Sequence, residues 1–475
     1  MNILKAYKNV KKELEKHNQD HLLSFWDQLN TAQQHHLISQ INQLDLEKID
    51  EWVTDYVKKN VSAKITGDLT PTPFYSHEPS DPKQKRKYAE AIRLGNKLIR
   101  QGKVAAFVVA GGQGTRLGFD GPKGDFPISL LKNKTLFQIF AEYIAAASRK
   151  YQTVCPWYIM TSPLNHTETE EIFRSNQYYG LGQENIFIFQ QGTMPNFSPD
   201  GRILLADKDK ISCSPDGHGG SLKALYHSRA VEDMKRRGVE FISYYQVDNP
   251  LINIFDPLFI GLHALNESEM SSKALIKTGP FEKVGNFCLV DGRLTIIEYS
   301  DLPDELAEKR NPDGSLTFKL GSIAIHIINR TFVEKLNSDG FSLPLHRAVK
   351  KIPHIDNHGE FIEPNEPNGI KLETFVFDAV PLASKSIVLE TLRSEEFAPT
   401  KNATGVDSAQ TTRKMMVERA AAWLESAGLA VPKKPDGSID CVIEISSRFA
   451  LHKDDIKQKL DQIPRIKPGD TIYLA

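Results

Sequence analysis

From Ile3 to about Lys59, apolar residues recur at the spacing of one helical face, as in Leu22, Leu23, Trp26 and Leu29 and again in Leu37, Ile38, Ile41 and Leu44. This predicts a helical N-terminal region. Residues 67–83, GDLTPTPFYSHEPSDPK, are dense in Pro, Ser, Asp and Gly and read as a linker or wrapping arm. A further helix is predicted over 85–101. Between residue 104 and about 378 the period changes: β-rich runs at 104–110, 157–161, 186–190, 241–247 and 274–278 alternate with helix-length segments. Strands separated in this way need crossover connections, which predicts a mostly parallel sheet. Past residue 380 a helix over about 411–427 is followed by Gly428, a Pro/Lys/Asp turn, and short strands near 441–445 and 471–474. The expected organisation is therefore three stretches. Residues 1–100 form a helical region and arm, 101–380 a doubly wound α/β core, and 381–475 a small α+β domain.

Composition narrows the function classes. Lys plus Arg number 59 against 60 for Asp plus Glu, so no chain-wide basic footprint exists for nucleic acid or an anionic membrane. Phosphate binding, if present, must be local. The four cysteines, Cys155, Cys213, Cys288 and Cys441, lie far apart without paired metal-ligand spacing, which disfavours a zinc knuckle or a disulfide framework. The N-terminus is charged within a few residues, and no segment approaches the ~20 apolar residues of a membrane span. A cytoplasmic protein, monomeric or weakly self-associating, is expected.

The candidate chemistry begins where the first β-rich run ends. VAAFVVAGGQGTRLG carries a buried strand straight into a loop with Gly111, Gly112, Gly114 and Gly118. Such glycines admit positive φ and let backbone N–H groups approach an anion, although the same glycines also serve a plain tight turn. Arg116 inside the loop and Lys123 in the following PKG add two cations where charge would build on a transferring phosphoryl group. The loop lacks the Lys-Ser/Thr of a Walker A motif, and its glycines do not match GxGxxG. A P-loop ATPase and a dinucleotide oxidoreductase are thereby disfavoured, which leaves a nucleotidyltransferase. Asp248 ends the run SYYQVDN at the carboxyl edge of the predicted sheet, where open α/β folds bind ligands and where a helix cap or turn former would also stand.

GGQGTRLG followed by PKG resembles the signature of the eukaryotic-type UDP-sugar pyrophosphorylases, and the Gln113-Gly114-Thr115-Arg116 variant is similar to the UDP-N-acetylglucosamine pyrophosphorylase branch. QQGTMP, SPDGHGG, VDNPL, VGNFCLVDG, IEYSDL, PNGIKLETFVFD and EEFAPTKNA follow in the family's order, so the resemblance covers roughly residues 85–405. It implies a GT-A/Rossmann-like nucleotidyltransferase core that forms a UDP-sugar and pyrophosphate from UTP and a hexose 1-phosphate, with Mg²⁺, or Mn²⁺ in its stead, as cofactor.

The residue roles are likewise what the resemblance implies. Arg116 and Lys123 would neutralise the triphosphate, Asp248 would hold the metal, and Lys401 would meet the sugar phosphate. Ala110, Gly111, Gly112, Gly114 and Thr115 would form the cradle, with Gln191, Gly217 and His218 on the nucleotide. Gly285, Glu298, Ser322, Phe375 and Phe377 would border the sugar. Phe375 and Phe377 are expected to share one face of a strand, where core packing is the plainer reading. Two positions depart from the acetylglucosamine pattern. Ser322 in GSIA stands where that branch has an asparagine, and His218 in PDGHGG is closer to the UDP-glucose enzymes. N-acetylglucosamine 1-phosphate is the first-choice substrate, with glucose or galactose 1-phosphate, and a non-catalytic sugar-nucleotide binder, as the alternatives.

Overall fold

The computed structural model describes residues 3–59, 67–338, 340 and 343–475. The chain forms two compact units, each assembled from separated stretches: Met1–Thr66, Gly192–Ser221 and Ser342–Asp378 in the first, the remainder in the second. The division does not follow the expected boundaries at 100 and 380. Long-range pairing, which local periodicity does not register, gathers the N-terminal helices with two later excursions of the chain.

The first unit holds the helices Ile3–Lys16, Thr31–Ile41 and Leu46–Trp52. Their apolar faces, with Leu14, Leu37 and Ile41 fully or almost fully buried, pack with Phe197, Ile203, Ile370 and Leu372 into one core. Two glutamines of the helical region complete open backbone groups in the excursion 192–221. Gln19, buried, donates to Gly201 O at 2.9 Å and accepts from Ile203 N at 2.9 Å. Gln40 donates to Asp209 O at 2.8 Å and accepts from Ile211 N at 3.0 Å. The strand Gly369–Glu373 pairs antiparallel with His346–Lys350, and Phe197 bridges to Ile370.

The second unit is built on a ten-stranded sheet. Its strands in chain order are β1 (Leu69–Pro71), β2 (Val104–Val109), β3 (Trp157–Thr161), β4 (Ile186–Gln190) and β5 (Phe241–Gln246). They continue with β6 (Met270–Ile276), β7 (Gly285–Val290), β8 (Arg293–Ile297), β9 (Leu320–Asn329) and β10 (Val388–Glu390). The order is β1-β7-β9-β5-β2-β3-β4, with β6 pairing β9 and β10, and β8 pairing β7. β4, β3, β2 and β5 run parallel, the doubly wound core expected of the alternating pattern. β9 is antiparallel to β5 and extends the sheet through antiparallel neighbours. β2 is buried on both faces, which explains its unbroken apolar run VAAFVV.

The arm at 67–83 contributes β1, and Tyr75 bridges to Leu389. The helix Pro82–Arg100 starts at an Asp81 cap with Pro at its first position. It packs against the helix Pro257–Leu265 so closely that Gly95 and Gly261 leave no room for a Cβ. At the C-terminal end, the helix Ala409–Ser426 packs with the parallel strands Val442–Ile445 and Thr471–Leu474 around a separate small core.

Candidate functional site

The loop after β2 shows how a few side chains can expose backbone amides. Asn165, buried, donates through Nδ2 to the carbonyl oxygens of Ala110 (3.0 Å) and Gly112 (3.2 Å). Both peptides are trans, so the N–H that shares each plane, Gly111 N and Gln113 N, points the opposite way. Among the described residues the amides of Gly111, Gly112 and Gln113 donate to no protein acceptor. Gly114 N and Lys123 N, by contrast, close the loop on Gly121 O (2.9 Å) and Gly112 O (3.0 Å). Three amides without a protein acceptor, two of them turned away from Asn165, suit an anion at a strand's carboxyl end.

Charge gathers at this loop. Lys123 is 8% exposed, its Cε 3.8 Å from where a Cβ on Gly112 would stand, and its Nζ 3.9 Å from Asp248 Oδ2. Desolvation holds the Lys123 ammonium below the ordinary lysine range, the Asp248 carboxylate opposes that, and Arg116 and Lys401 add to the depression. Four of the expected residues therefore share one electrostatic neighbourhood. An anionic ligand would relieve it. Lys401 starts a closed turn, its N–H and that of Asn402 both donating to Asp407 O, while Thr400 N donates to the carbonyl of Asp248 at 2.8 Å.

Gln191, buried directly after β4, brings Oε1 to 2.5 Å from a Cβ built on Gly111, so a side chain there would have to displace the Gln191 amide. Further along the sheet, Gly285 on β7 is the register partner of Ser322 on β9, and a Cβ on Gly285 would collide with Ile296. Glu298 follows directly on β8, which also pairs with β7. Ala324, at φ 54°, breaks the regularity of β9 two residues past Ser322.

The remaining expected residues belong to the first unit. Gly217 has φ +84°, and a Cβ there would meet Thr374 O at 2.3 Å, a close approach that requires glycine. His218 Nδ1 accepts from Val376 N at 3.1 Å, and its ring stacks on Phe375 with centroids 5.1 Å apart. Desolvation, reinforced by His346, pushes this imidazole down to about 4. Phe375 and Phe377 do not share a strand. The strand ends at Glu373 and Phe377 lies in the helical turn Val376–Leu382, because Val376 N–H is taken by His218 rather than by a neighbouring strand. The rings nonetheless stay 5.1 Å apart.

Three contributors escaped the reading by motif. Asn165 offered only a solitary NHT triplet. His346, whose Nε2 lies 2.8 Å from Asp378 Oδ2 and whose ring stacks on Phe375 at 4.1 Å, had no pattern around it. Asn249 was overshadowed by its neighbour Asp248.

An open α/β sheet whose first parallel strand runs into a cation-lined amide cradle is the architecture of a nucleotidyltransferase. A family model described as UTP–glucose-1-phosphate uridylyltransferase matches residues 75–474. The chain is 37% identical over 458 residues to the UDP-N-acetylglucosamine pyrophosphorylase of Saccharomyces cerevisiae, covering 93% of this chain and 94% of that one. It is 36% identical over 468 residues to UDP-N-acetylhexosamine pyrophosphorylase-like protein 1 of Homo sapiens, covering 92% of each. The solved UDP-N-acetylglucosamine pyrophosphorylase of Trypanosoma brucei, in complex with an inhibitor, superposes with a TM-score of 0.82 at 25% identity, over 100% of this chain and 98% of that one. This chain belongs to the UTP–glucose-1-phosphate uridylyltransferase family.

Proposed function

We propose that this protein is a uridylyltransferase that joins UTP to N-acetylglucosamine 1-phosphate, releasing pyrophosphate and UDP-N-acetylglucosamine. The observation that carries the reading is the buried Lys123 beside Asp248, flanked by Arg116 and Lys401, at a loop with three amides that donate to no protein acceptor among the described residues. The relatives named for the acetylglucosamine reaction support the choice of sugar. A phosphate oxygen of the sugar attacks the α-phosphorus in line with the departing pyrophosphate, and no covalent enzyme intermediate is required. The nucleophile is already an anion, so the chain supplies alignment and charge rather than a general base. The amides of Gly111 to Gln113 and the side chains of Arg116 and Lys123 receive the triphosphate, and Lys401 receives the sugar phosphate. Gln191 faces the base, and Gly285, Glu298 and Ser322 receive the sugar. The roles that the motif match implies for Gly217, His218, Phe375 and Phe377 are part of the same proposal.

Asp248 suits Mg²⁺. Among the described residues no cluster of three or more His, Cys, Asp or Glu could hold a metal, whereas Mg²⁺ is commonly held by one or two carboxylates together with substrate phosphates and water. When bound, the ion would neutralise charge on the phosphates. The four cysteines are unpaired, which supports a reducing, cytosolic setting.

The test is pyrophosphate release with UTP, Mg²⁺ and a panel of glucose, galactose, N-acetylglucosamine and N-acetylgalactosamine 1-phosphates. N-acetylglucosamine 1-phosphate should give the highest kcat/KM, with one UDP-sugar per pyrophosphate. Preference for a non-acetylated sugar would overturn the substrate, and UTP binding without release from any of the four would overturn the reaction.

A further inference from the structure

The segment that delivers Lys401 is stitched to the loop that follows β5. Asn249, buried, donates through Nδ2 to Glu396 O at 2.6 Å and accepts from Ala398 N at 3.1 Å through Oδ1. One side chain thus satisfies the backbone of the 396–398 segment from the position next to Asp248. Two residues on, Thr400 N donates to the Asp248 carbonyl at 2.8 Å. Behind this seam, Glu396 accepts from Asn253 N at 3.2 Å and from Thr391 Oγ1 at 2.6 Å, and Lys273 Nζ donates to both of its carboxylate oxygens, at 2.5 and 2.7 Å. Lys273 is 1% exposed and also lies 2.7 Å from Asp256 Oδ2. A buried pair of this kind gains little net stability over apolar packing, but removing one partner is severe, so its geometry is strongly enforced. The carboxyl edge of the sheet and the Lys401 segment are therefore held in one register by directional bonds rather than by apolar contact alone.

We infer that Asn249, backed by the buried Lys273–Glu396 pair, is a positioning device that sets Lys401 relative to Asp248 for uridylyl transfer. The inference rests on the reading of Lys401 and Asp248 given under the proposed function. Asn249 touches no reacting atom in this account. It acts through the backbone of 396–401, and its loss lets the lysine drift from the sugar phosphate, where a displacement of about 1 Å costs on the order of 100-fold in rate.

The experiment is a double-mutant cycle on kcat and on KM for each substrate, using the full chain with Asn249→Ala, Lys401→Ala and both together. Asn249→Ala should lower kcat about 10- to 100-fold with KM for UTP within about twofold of the starting value. In the Lys401→Ala background the same change should cost less than about twofold, because the residue it positions is gone. A merely structural role would leave the two losses additive, which overturns the inference, as would Asn249→Ala with unchanged kcat. Glu396→Gln, which keeps an acceptor for Asn253 N, provides a second entry to the cycle where Asn249→Ala folds poorly, and should be non-additive with Lys401→Ala in the same way. If Lys401→Ala alone turns over normally, the role of Lys401 is what has failed, an outcome distinct from additivity.

Discussion

Lys123 carries the strongest consequence at the scale of single residues. Its ammonium is held below the ordinary lysine range by desolvation first, with Arg116 and Lys401 adding to it and Asp248 opposing. The cationic form is the one that meets the triphosphate, so activity should be lost as pH rises through this depressed value. The alkaline limb of kcat/KM, which reports the free enzyme, should therefore begin below the ~10.4 of an unperturbed lysine. Lys123→Arg should move that limb out of reach. Asn165 acts differently, by turning amides outward. Asn165→Asp replaces a donor to two carbonyls with an acceptor, and should raise KM for UTP by about tenfold or more, the equivalent of a buried polar contact made unfavourable. Lys123 and Asp248 were legible in the sequence because motif spacing carries them. His346 and Asp378 were not, since they meet across 32 residues with no local pattern, and Asn165 reaches back 55 residues to Ala110.

Among elements, the helix pair Pro82–Arg100 and Pro257–Leu265 depends on two glycines. A Cβ would stand 1.9 Å from Pro257 O at Gly95 and 1.8 Å from Ala91 O at Gly261. Alanine is the better helix former by about 1 kcal/mol, but a backbone clash of this depth outweighs it. Gly261→Ala should lower the unfolding free energy by about 3 kcal/mol, read by denaturant titration. Gly111→Ala, facing Gln191 Oε1, should instead weaken UTP binding, seen as a raised KM, with a smaller effect on stability. β2 and β3 were readable because burial on both faces writes a continuous, mostly apolar run, and β3 and the half-buried edge strand β4 start and stop where the pattern does. The predicted strand through Phe375 and Phe377 failed because alternation alone cannot detect that a histidine 158 residues away takes the next amide.

For the whole molecule, each of the two units holds a histidine whose neutral form is favoured, His218 half-buried and His263 fully buried. His218 in the first and His263 in the second are both pushed down to about 4, chiefly by desolvation. In the unfolded chain each would titrate near 6.5, so between about 6.5 and 4 the unfolded state binds more protons. Stability should accordingly fall as pH drops through that window and flatten below it for these two groups. Thermal melting against pH checks this, and His218→Asn should shallow the slope. The division into units was illegible because it rests on contacts such as Gln19 with Gly201, separated by 182 residues. No helix among the described residues is long and apolar enough to cross a membrane. Transfer of a uridylyl group at the Lys123–Asp248 cradle is checked by kcat for pyrophosphate release from UTP and N-acetylglucosamine 1-phosphate in the unmodified protein and in Lys123→Ala. The first should release pyrophosphate stoichiometrically and the second should lose about 100-fold or more, the scale of removing one transition-state donor. A folded Lys123→Ala protein with near-normal turnover would contradict it.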